Sequence, residues 1–231
     1  MDNKTVGGRR VALISDDDEF FRMALSSVLT ARLGFSEVIA TQTFDGAAEK
    51  LSNRDDVEIA LFDLNMPGMN NWQNLRTLRE CFPGVRAAVV SGSQDRNDIL
   101  MALRVGLHGY VSKGLGVSEL SRALQIICEG TVYLPSFFPD LPIGGDELPR
   151  PPDNEPSNRP DTGVLADLTK RQREVLEMLI NGKSNKAMAR ILDVSEGTIK
   201  FHVSAVFRVL RASNRVEAAT CGARLLDHAR M

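Results

Sequence analysis

The chain is short of the residues that build disulfide frameworks and soft-metal centres. Its three cysteines, Cys81, Cys128 and Cys221, stand isolated among 231 residues, and its three histidines form no cluster with them. Without a CxxC pair there is no basis for a structural zinc site, and the pattern points to a reducing compartment, the cytoplasm. Long apolar runs are missing as well. None approaches the roughly 20 residues that a membrane-crossing helix needs, so no membrane partner is expected. No N-terminal stretch joins a basic flank to an apolar run and a small-residue cleavage site, so no secretory signal is expected. No glycine-rich phosphate loop follows the first apolar run, which sets aside a nucleotide-binding domain.

What is present divides unevenly along the chain. Eight of the ten prolines fall between Pro135 and Gly163, mixed with Asp, Glu, Asn and Gly. That stretch has neither helical nor strand periodicity, and it predicts a solvated, semi-stiff interdomain linker. From Val164 onward there are 12 Lys+Arg against 7 Asp+Glu, a net of +5; the rest of the chain carries 16 against 23, a net of −7. An acidic half and a basic half suggest different partners, with nucleic acid the one for the basic half. The expected layout is a first domain over residues 1–131, a linker over 132–165 and a second domain over 166–231.

In the first half, short apolar runs alternate with amphipathic segments. The runs are Arg10–Ser15, Val38–Thr41, Ile59–Asp63, Ala87–Ser91 and Gly109–Val111, with helical patterns between them and after the last. Five such repeats predict a parallel sheet covered by helices on both faces. Ligands of such sheets sit in the crevice beyond the strand C-termini. Those termini carry Asp16 and Asp17, Asp63, Ser91 and Lys113. Carboxylates crowded into one crevice repel each other unless a cation compensates them, and oxygen-only ligands favour a hard divalent ion such as Mg²⁺. A carboxylate can also attack phosphorus, while Lys113, the Ser91 hydroxyl and a metal would neutralise the transferring group.

The segments ISDDDEFFRMAL, ALFDLNMPGMN, VVSGS and GYVSK, in this order and spacing, resemble the receiver domain of bacterial two-component response regulators. The resemblance implies a flavodoxin-like (βα)5 fold with Asp63 as the phosphoacceptor. It implies Asp16 and Asp17 as the acidic pair for Mg²⁺, completed by Asp63 and the backbone carbonyl of Asn65. Ser91 takes the switch hydroxyl position, Tyr110 the rotating aromatic position and Lys113 the lysine position. Three places depart from the family pattern. Asn71 and Trp72 follow MPGMN where Gly is usual, Gly114 stands where many receivers have Pro, and Asp18-Glu19 replaces a common His-Pro.

The second half is helical throughout. Thr169 and Gln172 form a Thr-x-x-Gln capping box ahead of one helix, Ser184 caps a short second helix, and Ser195 caps a third beginning at Glu196. Two short helices joined through Leu192–Ser195 read as helix-turn-helix. The run LTKRQREVLEMLINGKSNKAMARILDVSEGTIKFHVSAVFRVL…NRVEAA resembles the all-α four-helix LuxR-type DNA-binding domain. With a receiver before it, the chain is identified as a member of the NarL/FixJ family. The resemblance implies a recognition helix from Ser195 to Leu210, with Lys200, Phe201 and Ser204 facing the groove. Lys183, Asn185, Lys186, Thr198 and Arg208 are then candidates for phosphate contacts, and the last helix for a dimer contact.

The function expected is a response regulator, not an enzyme. A sensor histidine kinase would phosphorylate Asp63, and the protein, as a homodimer when active, would bind double-stranded promoter DNA. RNA polymerase is a candidate partner. A Mg²⁺-dependent phosphatase of the haloacid dehalogenase type would need an acid two residues after Asp63, where this chain has Asn65. The remaining alternative is a phosphorylation-independent transcription factor whose receiver is a constitutive dimerisation or partner-binding module.

Overall fold

The computed structural model describes residues 9–69, 72–141, 164–165 and 167–228. Its first unit is a parallel sheet of β1 (Val11–Ser15), β2 (Glu37–Thr41), β3 (Val57–Phe62), β4 (Arg86–Ser91) and β5 (Tyr110–Ser112), in the order β2-β1-β3-β4-β5. Between and after the strands run α1 (Glu19–Leu33), α2 (Phe44–Ser52), α3 (Trp72–Cys81), α4 (Arg96–Arg104) and α5 (Val117–Cys128). Alternate residues of each strand point to opposite faces, and both faces are apolar. Val11, Leu13, Ala60, Phe62, Ala87 and Val89 pack with α2, α3 and α4, whereas Ala12, Ile14, Ile59, Leu61, Ala88 and Val90 pack with α1 and α5. The chain reverses its direction of travel between β1 and β3, so the crevice opens above the C-terminal ends of these two neighbouring strands.

The segment after α5 does not leave the sheet at once. Tyr133 bonds both ways to the strand edge, accepting from Tyr110 N–H (3.1 Å) and donating to the His108 carbonyl (3.0 Å). Leu134, Phe137, Phe138 and Leu141 then pack on the α4 side of the core. Arg96 on α4 holds the strap down, donating to the carbonyls of Phe138 (3.1 Å) and Leu141 (3.2 Å) with its guanidinium 4.6 Å from the Phe138 ring. Residues 132–141, assigned to the linker from composition, therefore lie against the first unit. Composition hid this because four large apolar residues are dispersed among the prolines. The rest of the linker up to 163, and Asn70 and Asn71, lie outside the described residues.

The second unit holds α6 (Lys170–Ile180), α7 (Asn185–Leu192), α8 (Glu196–Val209) and α9 (Arg215–His228) around Val175, Leu176, Leu179, Met188, Ile199, Val206 and Leu225. Thr169 and Gln172 form the full reciprocal capping box, and the hydroxyls of Ser184 and Ser195 accept from Ala187 N–H and Thr198 N–H. Asp193 ends α7 in the left-handed region (φ 53°), which turns the chain sharply into α8. Among the described residues, no helix is long and apolar enough to cross a membrane.

Gly109 is required where the strap crosses the edge of the sheet. A Cβ there would lie 2.8 Å from Ile127 Cδ1 and 3.1 Å from the Tyr133 carbonyl oxygen. Gly109→Val is expected to cost about 1–3 kcal/mol through overpacking. Thermal unfolding should show a midpoint lowered by roughly 2–8 °C per kcal/mol; an unchanged midpoint would mean that the strap is not packed as described.

Candidate functional site

The crevice forms where β1 and β3 end side by side. Asp63 N–H donates to the Ser15 carbonyl (2.9 Å), and Asp16 N–H to the Thr41 carbonyl (3.1 Å), so both acids are set by strand pairing. One carboxylate oxygen each from Asp16, Asp17 and Asp63 lies within 4.8 Å of the others. Asp16 and Asp63 are buried and Asp17 is exposed. Lys113 follows β5 and bridges the two buried acids, with its Nζ 2.7 Å from Asp16 Oδ2 and 3.1 Å from Asp63 Oδ2. Phe21 of α1 supplies a ring 4.7 Å beneath the same ammonium.

Burial pushes the Asp63 carboxyl above its ordinary range, against the opposing pull of Lys113. Burial also works against the Lys113 ammonium, but its bonds to Asp16 and Asp63 outweigh that and hold its pKa above the usual lysine value. Asp63 Oδ1 is buried and has no hydrogen-bond partner. A buried oxygen of this kind is costly unless something else satisfies it. A hard cation beside Asp16 and Asp17 fits that oxygen and this donor set. Asn65, two residues on, is exposed. Asp18 is spoken for: it caps α1, accepting from Phe21 N–H at 3.1 Å.

Ser91 ends β4 fully buried; its carbonyl accepts from Lys113 N–H (2.8 Å) and its hydroxyl from Ser93 N–H (3.2 Å). Tyr110 is also fully buried under the strap, and its hydroxyl donates to the Ser93 carbonyl at 3.0 Å. Burial pushes its phenol above the ordinary value. The turn after Lys113 closes through Gly114 N–H to Ser112 Oγ (3.2 Å), with no Pro needed.

The helix-turn-helix residues divide into two groups. Lys183, Lys186, Lys200 and Ser204 are exposed. Asn185 accepts from Arg215 through Oδ1 (3.2 Å). Thr198 and Phe201 are buried, and Arg208 is paired with Glu80 of α3. The reason is that α8 lies against α2 and α3. Phe201, expected to face a DNA groove, sits between Phe44 and Phe82, each ring centroid 6.0 Å from its own. Gly197 admits the close approach: a Cβ there would be 3.2 Å from the Ser52 carbonyl oxygen. Beside it His202 is buried, its Nδ1 unpartnered and 3.9 Å from Asp45 Oδ1. Burial lowers its pKa to about 3, so the imidazole is neutral and the two do not form an ion pair.

Four contact residues escaped the sequence reading. Asp45 accepts from Thr169 Oγ1 (3.1 Å), Asn74 accepts from Gln172 Nε2 (2.8 Å), and Glu80 takes Arg208. Gln172 shows in the sequence only as a cap. Phe201 did carry a signal: the core stripe of α8 at Ile199, Val203, Val206 and Leu210 leaves it as an extra large apolar side chain.

Two family models match the chain: the response regulator receiver domain over residues 12–125, and the luxR family of bacterial regulatory proteins over residues 166–221. The glycerol metabolism activator of Pseudomonas putida is 38% identical over 207 residues, covering 89% of this chain and 91% of that protein. The nitrate/nitrite response regulator NarL of Escherichia coli K12 is 31% identical over 208 residues, covering 90% of this chain and 92% of that protein. Among solved structures, the RcsB response regulator of Salmonella typhimurium aligns with a TM-score of 0.52 at 18% identity, over 92% of this chain and 97% of that one, a likeness of fold. With both units matched, and with relatives aligned along nearly their whole length, the chain belongs to the two-component response regulators that join a receiver domain to a LuxR-type DNA-binding domain, and it is a transcriptional regulator acting on DNA.

Proposed function

We propose that Asp63 accepts a phosphoryl group from a sensor histidine kinase and that this event frees α8 to bind promoter DNA. The observation that carries the reading is the three-carboxylate cluster of Asp16, Asp17 and Asp63, bridged by Lys113 and leaving Asp63 Oδ1 without a partner. An Asp63 carboxylate oxygen forms the new O–P bond as the P–N bond of the donor histidine breaks, and the departing imidazole keeps the electron pair. Asp16, Asp17, Asp63 and the carbonyl of Asn65 are the residues to hold Mg²⁺. When bound, the ion supplies positive charge against the phosphoryl oxygens. Lys113, 3.1 Å from Asp63 Oδ2, would take one of those oxygens, and Ser91 would donate its hydroxyl to another. Tyr110 shares the Ser93 turn with Ser91, so a shift there reaches the strap over β5.

Before that event the recognition helix is occupied. A fully buried Phe contributes about 1.5–3 kcal/mol, each buried hydrogen bond about 0.5–1.5 kcal/mol, and the half-exposed Arg208–Glu80 pair at most ~1 kcal/mol. The sum is a few kcal/mol, the scale on which one phosphorylation can tip a two-state equilibrium. Once free, α8 presents Lys200, Phe201 and Ser204 to bases, with Lys183, Asn185, Lys186, Thr198 and Arg208 for phosphates. A homodimer through α9 would place two such helices about 34 Å apart, one turn of DNA, in reach of RNA polymerase.

Incubation with acetyl phosphate and Mg²⁺ should add one phosphoryl group (~80 Da) to the wild type and none to Asp63→Asn, and Asp17→Ala should raise the Mg²⁺ concentration required. If neither acetyl phosphate nor any histidine kinase modifies the wild type, the receiver is a phosphate-independent dimerisation module driving the same DNA-binding domain. A second prediction concerns the closed contact. Glu80→Arg sets two cations against each other outside the DNA-binding domain, and it should tighten DNA binding of the unphosphorylated protein about fivefold, equivalent to ~1 kcal/mol. The phosphorylated protein should bind DNA equally well with or without this change; a fivefold loss in both states would contradict it.

A further inference from the structure

The cap of α6 is joined to the loop that carries Asp63. Gln172 Oε1 accepts from Thr169 N–H at 3.0 Å, completing the capping box, while its Nε2 donates to Asn74 Oδ1 at 2.8 Å. Asn74 in turn donates from Nδ2 to the Gly68 carbonyl at 3.0 Å. Gln172 and Asn74 are 0% and 1% exposed, so no water competes for these groups. Both amides are fixed in orientation, since turning either one sets donor against donor or oxygen against oxygen. Gly68 lies five residues after Asp63 at φ +88°, and a Cβ on it would meet Phe44 Cβ at 3.2 Å and Thr169 Cγ2 at 3.7 Å. The loop backbone thus abuts both α2 and the DNA-binding domain. Thr169 ties the same cap to α2 through Asp45.

We infer that the relay Gly68–Asn74–Gln172 is a latch through which the phosphoacceptor loop itself holds or releases the DNA-binding domain, separately from Ser91, Tyr110 and Lys113. The inference rests on the phosphoacceptor reading of Asp63. While the Gly68 carbonyl is in place it aims the Asn74 amide, and Asn74 Oδ1 faces Gln172. When the loop shifts around a modified Asp63, the Asn74 amide is no longer held and the bond to Gln172 lapses. The choice of glutamine fits this double use. Glutamate serves equally well in a capping box, but it cannot donate to Asn74 Oδ1.

Two near-isosteric changes then test the two bonds of the relay separately. Gln172→Glu keeps the cap and places a carboxylate oxygen against Asn74 Oδ1, which opens the latch. Asn74→Asp keeps an acceptor for Gln172 Nε2 but sets a carboxylate oxygen against the Gly68 carbonyl, so the side chain is no longer aimed and the latch opens as it does when the loop shifts. The test is fluorescence anisotropy on full-length proteins with a duplex selected from random sequence against wild type treated with beryllofluoride and Mg²⁺. Wild type, Gln172→Glu, Asn74→Asp and Glu80→Arg are compared with and without beryllofluoride, and thermal melting is followed alongside. Gln172→Glu and Asn74→Asp should each bind about tenfold more tightly than wild type without beryllofluoride and equally with it. If either variant binds as wild type does without beryllofluoride, or loses affinity in both states with a lowered melting temperature, the latch is overturned, while opening by Glu80→Arg leaves the closed-contact reading standing. If Glu80→Arg too changes nothing, the closed contact on which the latch depends is overturned with it.

Discussion

Phe201 is shared between the two halves of the molecule. It belongs by sequence to the recognition helix, yet its ring is 1% exposed and lies between Phe44 and Phe82 of the receiver. A side chain buried there cannot also face the major groove, so DNA contact through this face of α8 requires that the two domains part. The polar contacts around the ring follow from the same docking. Asp45, Asn74 and Glu80 meet Thr169, Gln172 and Arg208 because the aromatic cluster brings α2 and α3 against the DNA-binding domain. The contact consists of one aromatic and a few hydrogen bonds, a scale that the proposed phosphorylation of Asp63 could offset.

The receiver end of the account depends on a second constraint, the parallel sheet. Pairing of β1 with β3 sets Asp16 beside Asp63, and β5 brings Lys113 in from the far side of β4. Two buried carboxylates around one ammonium leave the site short of positive charge, and a divalent ion is what that donor set accommodates. The same loop that begins with Asp63 ends at α3, whose residues Asn74 and Glu80 touch the DNA-binding domain. Chemistry at the crevice and occupancy of the recognition helix are therefore separated by one short loop and one helix.

Much of this was legible from local signals. The alternation of apolar runs with amphipathic segments, the caps at Thr169, Ser184 and Ser195, and the tight turn through Leu192–Ser195 are set by neighbouring residues, and the sequence carries them directly. The acids at the strand ends were legible because a parallel sheet collects its C-termini on one side. The domain contact was not, since its partners are 98, 124 and 128 residues apart for Gln172–Asn74, Thr169–Asp45 and Arg208–Glu80, and no periodicity links them. The strap was missed for a different reason. Proline content suggested a solvated linker, while Leu134, Phe137, Phe138 and Leu141 were too widely spaced to read as an element.

The most direct measurement joins the two domains covalently. A Cβ on Gly197 would lie 3.6 Å from the Ser52 Cβ, inside the roughly 3.5–4.5 Å that a disulfide spans. The pair Ser52→Cys with Gly197→Cys, in a background with the exposed Cys81→Ser, is oxidised, treated with beryllofluoride and Mg²⁺, and assayed for DNA binding before and after reduction. The account predicts ready cross-linking and no DNA binding until the disulfide is reduced. Cross-linked protein that binds DNA as tightly as the reduced form would contradict it.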